Sequence, residues 1–169
     1  MSVLFAVLFV LAPSVLLAAS PSFDCAKATG QVEALLCKDD DLAKLDQKMA
    51  EMYGTALRPM TEADRNAERT AQRKWIRDRD ECWKGSEVKS CVNAIYESRI
   101  TELQIKGGLV EVPSPTIYDC GNTGTVTAYF YNNTQIPAAV VNIGVAVQDF
   151  AISRPAGSGA KYVGDKLTF

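Results

Sequence analysis

The 169-residue chain contains no histidine. Without an imidazole there is no Ser-His-Asp or Cys-His catalysis, no histidine acid–base chemistry and no histidine metal ligand. No C-x-x-C pair occurs, so a cysteine-only metal site lacks its usual spacing. The formal net charge of -2 leaves no basic excess, and nucleic acid is not an expected partner. Neither a metal nor a cofactor is expected. Charge is also scarce in one half: residues 23–106 hold 15 of the 18 basic and 16 of the 20 acidic residues.

What is present begins with an apolar run, MSVLFAVLFVLAPSVLLAAS, that has no Lys or Arg near Met1. Residues 1–22 read as a secretory signal peptide. The run nearly reaches bilayer-spanning length, so a retained anchor is the rival reading. Pro13 and the small residues Ala18, Ala19 and Ser20 favour cleavage. A lipoprotein needs a cysteine directly after the small residues, and Cys25 comes too late. The expectation is a periplasmic or secreted protein, with five cysteines that read first as disulfides.

The charged half reads helical. Asp39, Asp40 and Asp41 supply a cap and negative charge at the start of a helix whose apolar positions are Leu42, Leu45, Met49, Met52, Tyr53 and Ala56. Pro59 ends it. Thr61, with Asp64 three residues on, opens a central helix that runs to Trp83. Ala67, Ala71, Trp75 and Cys82 share one face of it, while Arg69, Arg73, Lys74, Arg77, Asp78, Arg79, Asp80 and Glu81 are expected in water. A third helix runs from Ser90 to Lys106, with Val92, Ile95, Tyr96, Ile100 and Leu103 inward. Such a hairpin of helices gathers Cys25, Cys37, Cys82 and Cys91 at one end. Three pairings are open. Short loops favour Cys25–Cys37 with Cys82–Cys91, each bridge stabilising by roughly 2–4 kcal/mol.

DCAKATGQVEALLCKDDDLAKLDQKMAEMYGTAL, then AQRKWIRDRDECW and SCVNAIYESRITEL, resemble the LprI-type domain of bacterial envelope proteins. The resemblance covers Asp24 to Leu103. Its marks are the paired cysteines around an acidic turn, L-x-x-L-D, Q-R-x-W-x-x-x-R-D-x-C and C…Y-x-x-R-x-x-E-L. It implies a stapled three-helix domain over residues 23–106 and, for at least one family member, lysozyme inhibition. Arg99 is expected to serve as a structural salt bridge or carbonyl cap.

Residues 107–116, with Gly107, Gly108, Pro113 and Pro115, read as a linker. Beyond it, TVTAYFY and AAVVNI alternate as half-buried strands, with Asn132-Asn133 as a turn candidate. Pro155, Gly157 and Gly159 mark an exposed loop. From Ile117 to Phe169, the YDC at Tyr118 to Cys120, the strand-and-turn TVTAYFYNN, AVVNI, SGAKY at Ser158 to Tyr162, and LTF resemble the MliC family of c-type lysozyme inhibitors. That resemblance implies a small antiparallel β-barrel whose loop serine, here Ser158, enters the lysozyme cleft. Gly159, Lys161 and Tyr162 belong to the same motif. The family continues past the residue matching Phe169, with an inhibitory lysine and a cysteine that pairs with the one at Cys120. The β domain is therefore expected to be incomplete and Cys120 to be an odd cysteine, with Lys161 or Lys166 standing in for the lysine.

The expected class is α+β: a stapled helical domain followed by a β-barrel-like domain over residues 117–169 that is truncated at its end. The expected function is inhibition of c-type lysozyme by insertion of the Ser158 loop, not catalysis. A lysozyme cleft carries two carboxylates, and a hydroxyl with a nearby ammonium can donate to both. The alternative is an envelope binding or scaffold module with no inhibitory activity. An enzyme built on Asp78 and Glu81 is disfavoured, because that helical face is charged and solvated.

Overall fold

Asp39 starts a helix of 17 residues by accepting the backbone N–H groups of Asp41 (3.2 Å) and Leu42 (3.1 Å). The computed structural model that shows this describes residues 19–144 and 147–169. The apolar leader, as far as residue 18, and the pair Val145-Ala146 lie outside the described residues. Four α-helices come first: α1 (Gln31–Leu36), α2 (Asp40–Ala56), α3 (Glu62–Asp80) and α4 (Val88–Lys106). Five strands follow: β1 (Thr116–Asp119), β2 (Thr125–Tyr131), β3 (Ala138–Ile143), β4 (Val147–Arg154) and β5 (Lys161–Gly164). The α+β division is thus present in the order the composition announces.

The helix ends are held by side chains. The Glu33 carboxylate accepts the N–H groups of Thr29 and Gly30 at the start of α1, and these two bonds hold its pKa below the ordinary value. Thr61 accepts the Asp64 N–H at 3.2 Å, the N-cap half of a capping box, and donates its hydroxyl to the Asp64 carboxylate at 2.6 Å. Arg65 of α3 reaches back to the C-terminal end of α2, donating to the carbonyls of Leu57 (2.9 Å) and Arg58 (3.1 Å). The sharp α2–α3 turn is thereby closed by the helix that follows it.

The core of the head is Val32, Leu36, Leu42, Met49, Ala56, Val92, Tyr96, Ile100 and Leu103. Disulfides join Cys25 to Cys37 and Cys82 to Cys91, all at one end of the bundle. The stripe read on α3 needs correction. Ala67 is exposed, and the inward positions are Glu68, Trp75, Arg79 and Cys82 with Gln72. Arg79, expected in water, is 5 % exposed. The reason is electrostatic: each of these polar side chains has a partner inside. Tyr96 donates its hydroxyl to Asp46 (2.6 Å) and accepts from Arg79 (3.1 Å), while Arg79 also grips Asp80. Arg99 donates to Glu68, to Gln72 (3.0 Å) and to Glu102 (2.6 Å). Trp75 meets Tyr96 edge-on at 5.0 Å. Among the described residues no buried side-chain nitrogen or oxygen lacks a partner.

The sheet is an antiparallel meander in the order β1-β2-β3-β4-β5, and it is not closed. Val126, Ala128, Phe130, Ala139, Val141, Ile143, Ala151 and Tyr162 form its own small core on one face. The opposite face turns toward α3 and α4 across a cleft of about 1070 Å³. The β2–β3 connection is longer than the Asn132-Asn133 turn expected from sequence, because residues beyond that pair dock on the head. The Gln135 N–H donates to the Gln104 side chain (2.8 Å), and the Ile136 N–H donates to the buried Thr101 hydroxyl (3.1 Å).

Candidate functional site

The hairpin of β4 and β5 carries the loop that the sequence singles out. Register pairs Ser153 with Tyr162 and Arg154 with Lys161, so the loop proper is residues 155–160. All six are exposed, as are Arg154 and Lys161. Pro155 fixes its own φ and has no N–H to pair, which stops the ladder there. Gly159 has φ +69°, a left-handed conformation that side chains with a Cβ disfavour. Ser158 therefore stands beside the bend, exposed and without a hydrogen bond among the described residues. Its hydroxyl is free to donate outward.

The loop is flexibly composed but firmly rooted. Tyr162, on the inner face, is 8 % exposed; it packs against Phe130 (5.5 Å) and stacks on Phe169 (5.4 Å, 17°). What Tyr162 offers the loop is an anchor. After β5 the chain turns back, and Tyr162 and Phe169 exchange backbone hydrogen bonds of 2.8 and 3.1 Å. The turn is held by Asp149, buried, whose carboxylate accepts the N–H groups of Lys166 (2.9 Å) and Leu167 (2.8 Å). Gly164 makes room for it: a Cβ there would stand 2.4 Å from the Asp149 Oδ2.

The remaining sequence candidates fall elsewhere. Lys161 projects into solvent at the loop's stem. Lys166 donates its ammonium to the Gln148 carbonyl at 3.1 Å. Cys120 is exposed at the end of β1 and belongs to neither bridge. Asp78 pairs with Lys74 (2.6 Å) and Glu81 pairs with Lys84, both in solvent. Among the described residues no group of His, Cys, Asp and Glu could hold a metal ion. The motif residues of the head are occupied internally: Gln72, Trp75, Arg79, Cys82, Tyr96, Arg99 and Glu102 all bind one another or the core. Sequence reasoning missed Asp46 and Glu68 as buried carboxyl groups. The signal lay in helical spacing from apolar residues: Asp46 stands four after Leu42 and three before Met49, and Glu68 seven before Trp75.

Comparison with known proteins places this geometry. The family model described as "Lysozyme inhibitor LprI" matches residues 25–103. Lipoprotein LprI of Mycobacterium bovis and that of Mycobacterium tuberculosis are each 32% identical over 145 residues, covering 85% of this chain and 72% of theirs. The helices end by Lys106 of 169 residues, so a likeness of that extent runs on into the sheet. No solved structure matches the chain. Those relatives are named as lipoproteins, whereas the Cys25 sulfur of this chain is joined to Cys37. Stapled bundle, motif residues and extended likeness together show that the chain belongs to the LprI family of lysozyme inhibitors.

Proposed function

We propose that the protein inhibits c-type lysozyme by placing the Ser158 loop in the enzyme's active-site cleft. The observation that carries this reading is the exposed run Arg154 to Lys161, bent at Gly159 and rooted by buried Tyr162. Such a loop can enter a groove with its hydroxyl leading. Inside, Ser158 donates to a catalytic carboxylate, and no bond is made or broken. Inhibition follows from occupying the place of the sugar and drying the carboxylates. The β half is read as an MliC-type domain, and the family's description as lysozyme inhibitors supports the choice of partner. The domain limits follow the same reading: a signal peptide over residues 1–22, an LprI-type domain over 23–106, a linker over 107–116 and the β domain over 117–169. Periplasm or secretion is the setting in which both disulfides persist.

The head then acts as a stiff mount. Its polar side chains bind one another, and the β2–β3 connection fixes the sheet to α4 through Thr101 and Gln104. Titration of the purified chain into lysozyme, read as clearing of a cell-wall suspension, tests the proposal. Stoichiometric loss of clearing is expected, with weaker inhibition by Ser158→Ala of roughly tenfold or more, the value of a hydrogen bond to a charged group. Unchanged clearing at micromolar excess of the parent chain refutes the reading, and equal potency of Ser158→Ala moves the site off this loop.

A further inference from the structure

Only three cations follow Gly107: Arg154, Lys161 and Lys166. Lys166 is tied to the Gln148 carbonyl. The other two stand directly opposite each other across β4 and β5, on the last rung before the loop. Residues so paired project from the same face with Cβ atoms roughly 4.5–5.5 Å apart, and like charges there destabilise the pairing. Both side chains are exposed, and neither has an ion pair or side-chain hydrogen bond among the described residues. Of the three acids in the β half, Asp149 is buried and already accepts two backbone N–H groups, and Asp119 stands at the end of β1, where it accepts the Gly121 N–H. Asp165 lies on the far turn, where its charge acts on Lys74 of α3. Arg154 also lines the cleft toward α3 and α4, whose acids Asp78 and Glu102 are already paired with Lys74 and with Arg99 and Lys106, so the rung concentrates positive charge at the stem of the candidate loop with no ion-pair partner of its own.

We propose that Arg154 and Lys161 form a clamp for a pair of carboxylates on the partner, acting beside Ser158. The inference rests on the loop-in-cleft reading and adds Arg154, which lies outside the SGAKY motif, to the contact set. The two carboxyl groups of a retaining glycosidase stand roughly 5–5.5 Å apart, a span that two long side chains rooted on one rung can both reach. The guanidinium offers a planar, two-point donor, and the ammonium offers a mobile point charge. A neutral hydroxyl at the bend and two cations at the stem divide the work: the hydroxyl gives position, and the rung gives charge complementarity and faster encounter.

The test is surface-based binding of the parent chain to c-type lysozyme at low and at physiological ionic strength, with thermal melts of every variant. Arg154→Gln and Lys161→Gln are each expected to weaken binding roughly tenfold, mostly through association rate. The double variant should lose most of the salt dependence and melt no lower than the parent, since repulsion has been removed. Arg154→Glu converts the rung to an opposite-charge pair; it should fold at least as well and bind worst of all. A double variant that binds like the parent, with the same salt dependence, overturns the clamp and leaves the loop reading standing. Variants that lose binding together with a lower melting temperature make the rung structural, which also overturns it. A parent chain that does not bind lysozyme at all overturns both.

Discussion

At the residue scale, Asp46 shows how the head makes use of a buried carboxyl group. Its carboxylate accepts the Tyr96 hydroxyl and the Ser22 N–H, both at 2.6 Å, so the segment before Cys25 is tied to the bundle centre. Burial, then the neighbouring Asp46, raises the Tyr96 pKa above that of a free phenol, outweighing the pull of Arg79. The folded state holds the phenol proton that the unfolded state loses near pH 10, so stability is intact below that pH and falls above it. Tyr96→Phe is expected to cost about 1–3 kcal/mol at neutral pH through the unsatisfied Asp46 and Arg79. It should also flatten the alkaline limb of a stability–pH curve, read by denaturant titration.

Glu102 gives the opposite limb. Burial alone pushes its carboxyl up, but Arg99 and Lys106 together hold it below the ordinary value. Its contribution is therefore present above the unfolded pKa, near pH 4.3, and is lost as pH falls through the folded one. Glu102→Gln should leave less acid dependence than the parent shows between about pH 5 and pH 3. A variant with the parent's full acid slope would place that dependence on other carboxylates, such as Glu33.

At the element scale, the helices were legible because their start and stop signals are local. The Asp39 and Thr61 caps and Pro59 act within one turn, and each is where the sequence puts it. The inner face of α3 was not legible. A period of 3.6 marks apolar residues, and here the inward face is largely polar, made stable only by partners on α2 and α4 that no local pattern announces. The β2–β3 connection was missed for a similar reason, since its length is set by contacts to Thr101 and Gln104 more than 30 residues earlier. The loop of β4 and β5 was legible from Pro155, Gly157 and Gly159, whereas the Arg154–Lys161 rung needed the register. Two substitutions test the packing of elements. At Gly107 a Cβ would lie 2.7 Å from the backbone of Ala56, so Gly107→Ala must push α4 from α2 and should lower stability by roughly 1–3 kcal/mol. Replacing Cys82 and Cys91 by Ala should cost roughly 2–4 kcal/mol, read as an earlier denaturation midpoint. An unchanged midpoint in either case would contradict the close approach or the staple.

At the scale of the whole molecule, the design is a rigid head bearing an open sheet with one protruding loop. Among the described residues no helix is long and apolar enough to cross a membrane. The head's family residues build the scaffold, and on the proposed reading chemistry directed at a partner sits on the other half, at Ser158 with Lys161 and Arg154. This division predicts that substitutions in the head act on stability, and those in residues 154–161 act on inhibition with the fold intact. The most direct test is competition for the cleft: lysozyme is saturated with an N-acetylglucosamine oligomer that fills its active site, and the affinity of this chain is measured with and without it. The account predicts mutually exclusive binding, with the apparent affinity falling in proportion to oligomer occupancy. Simultaneous binding of chain and oligomer to one lysozyme molecule would contradict it.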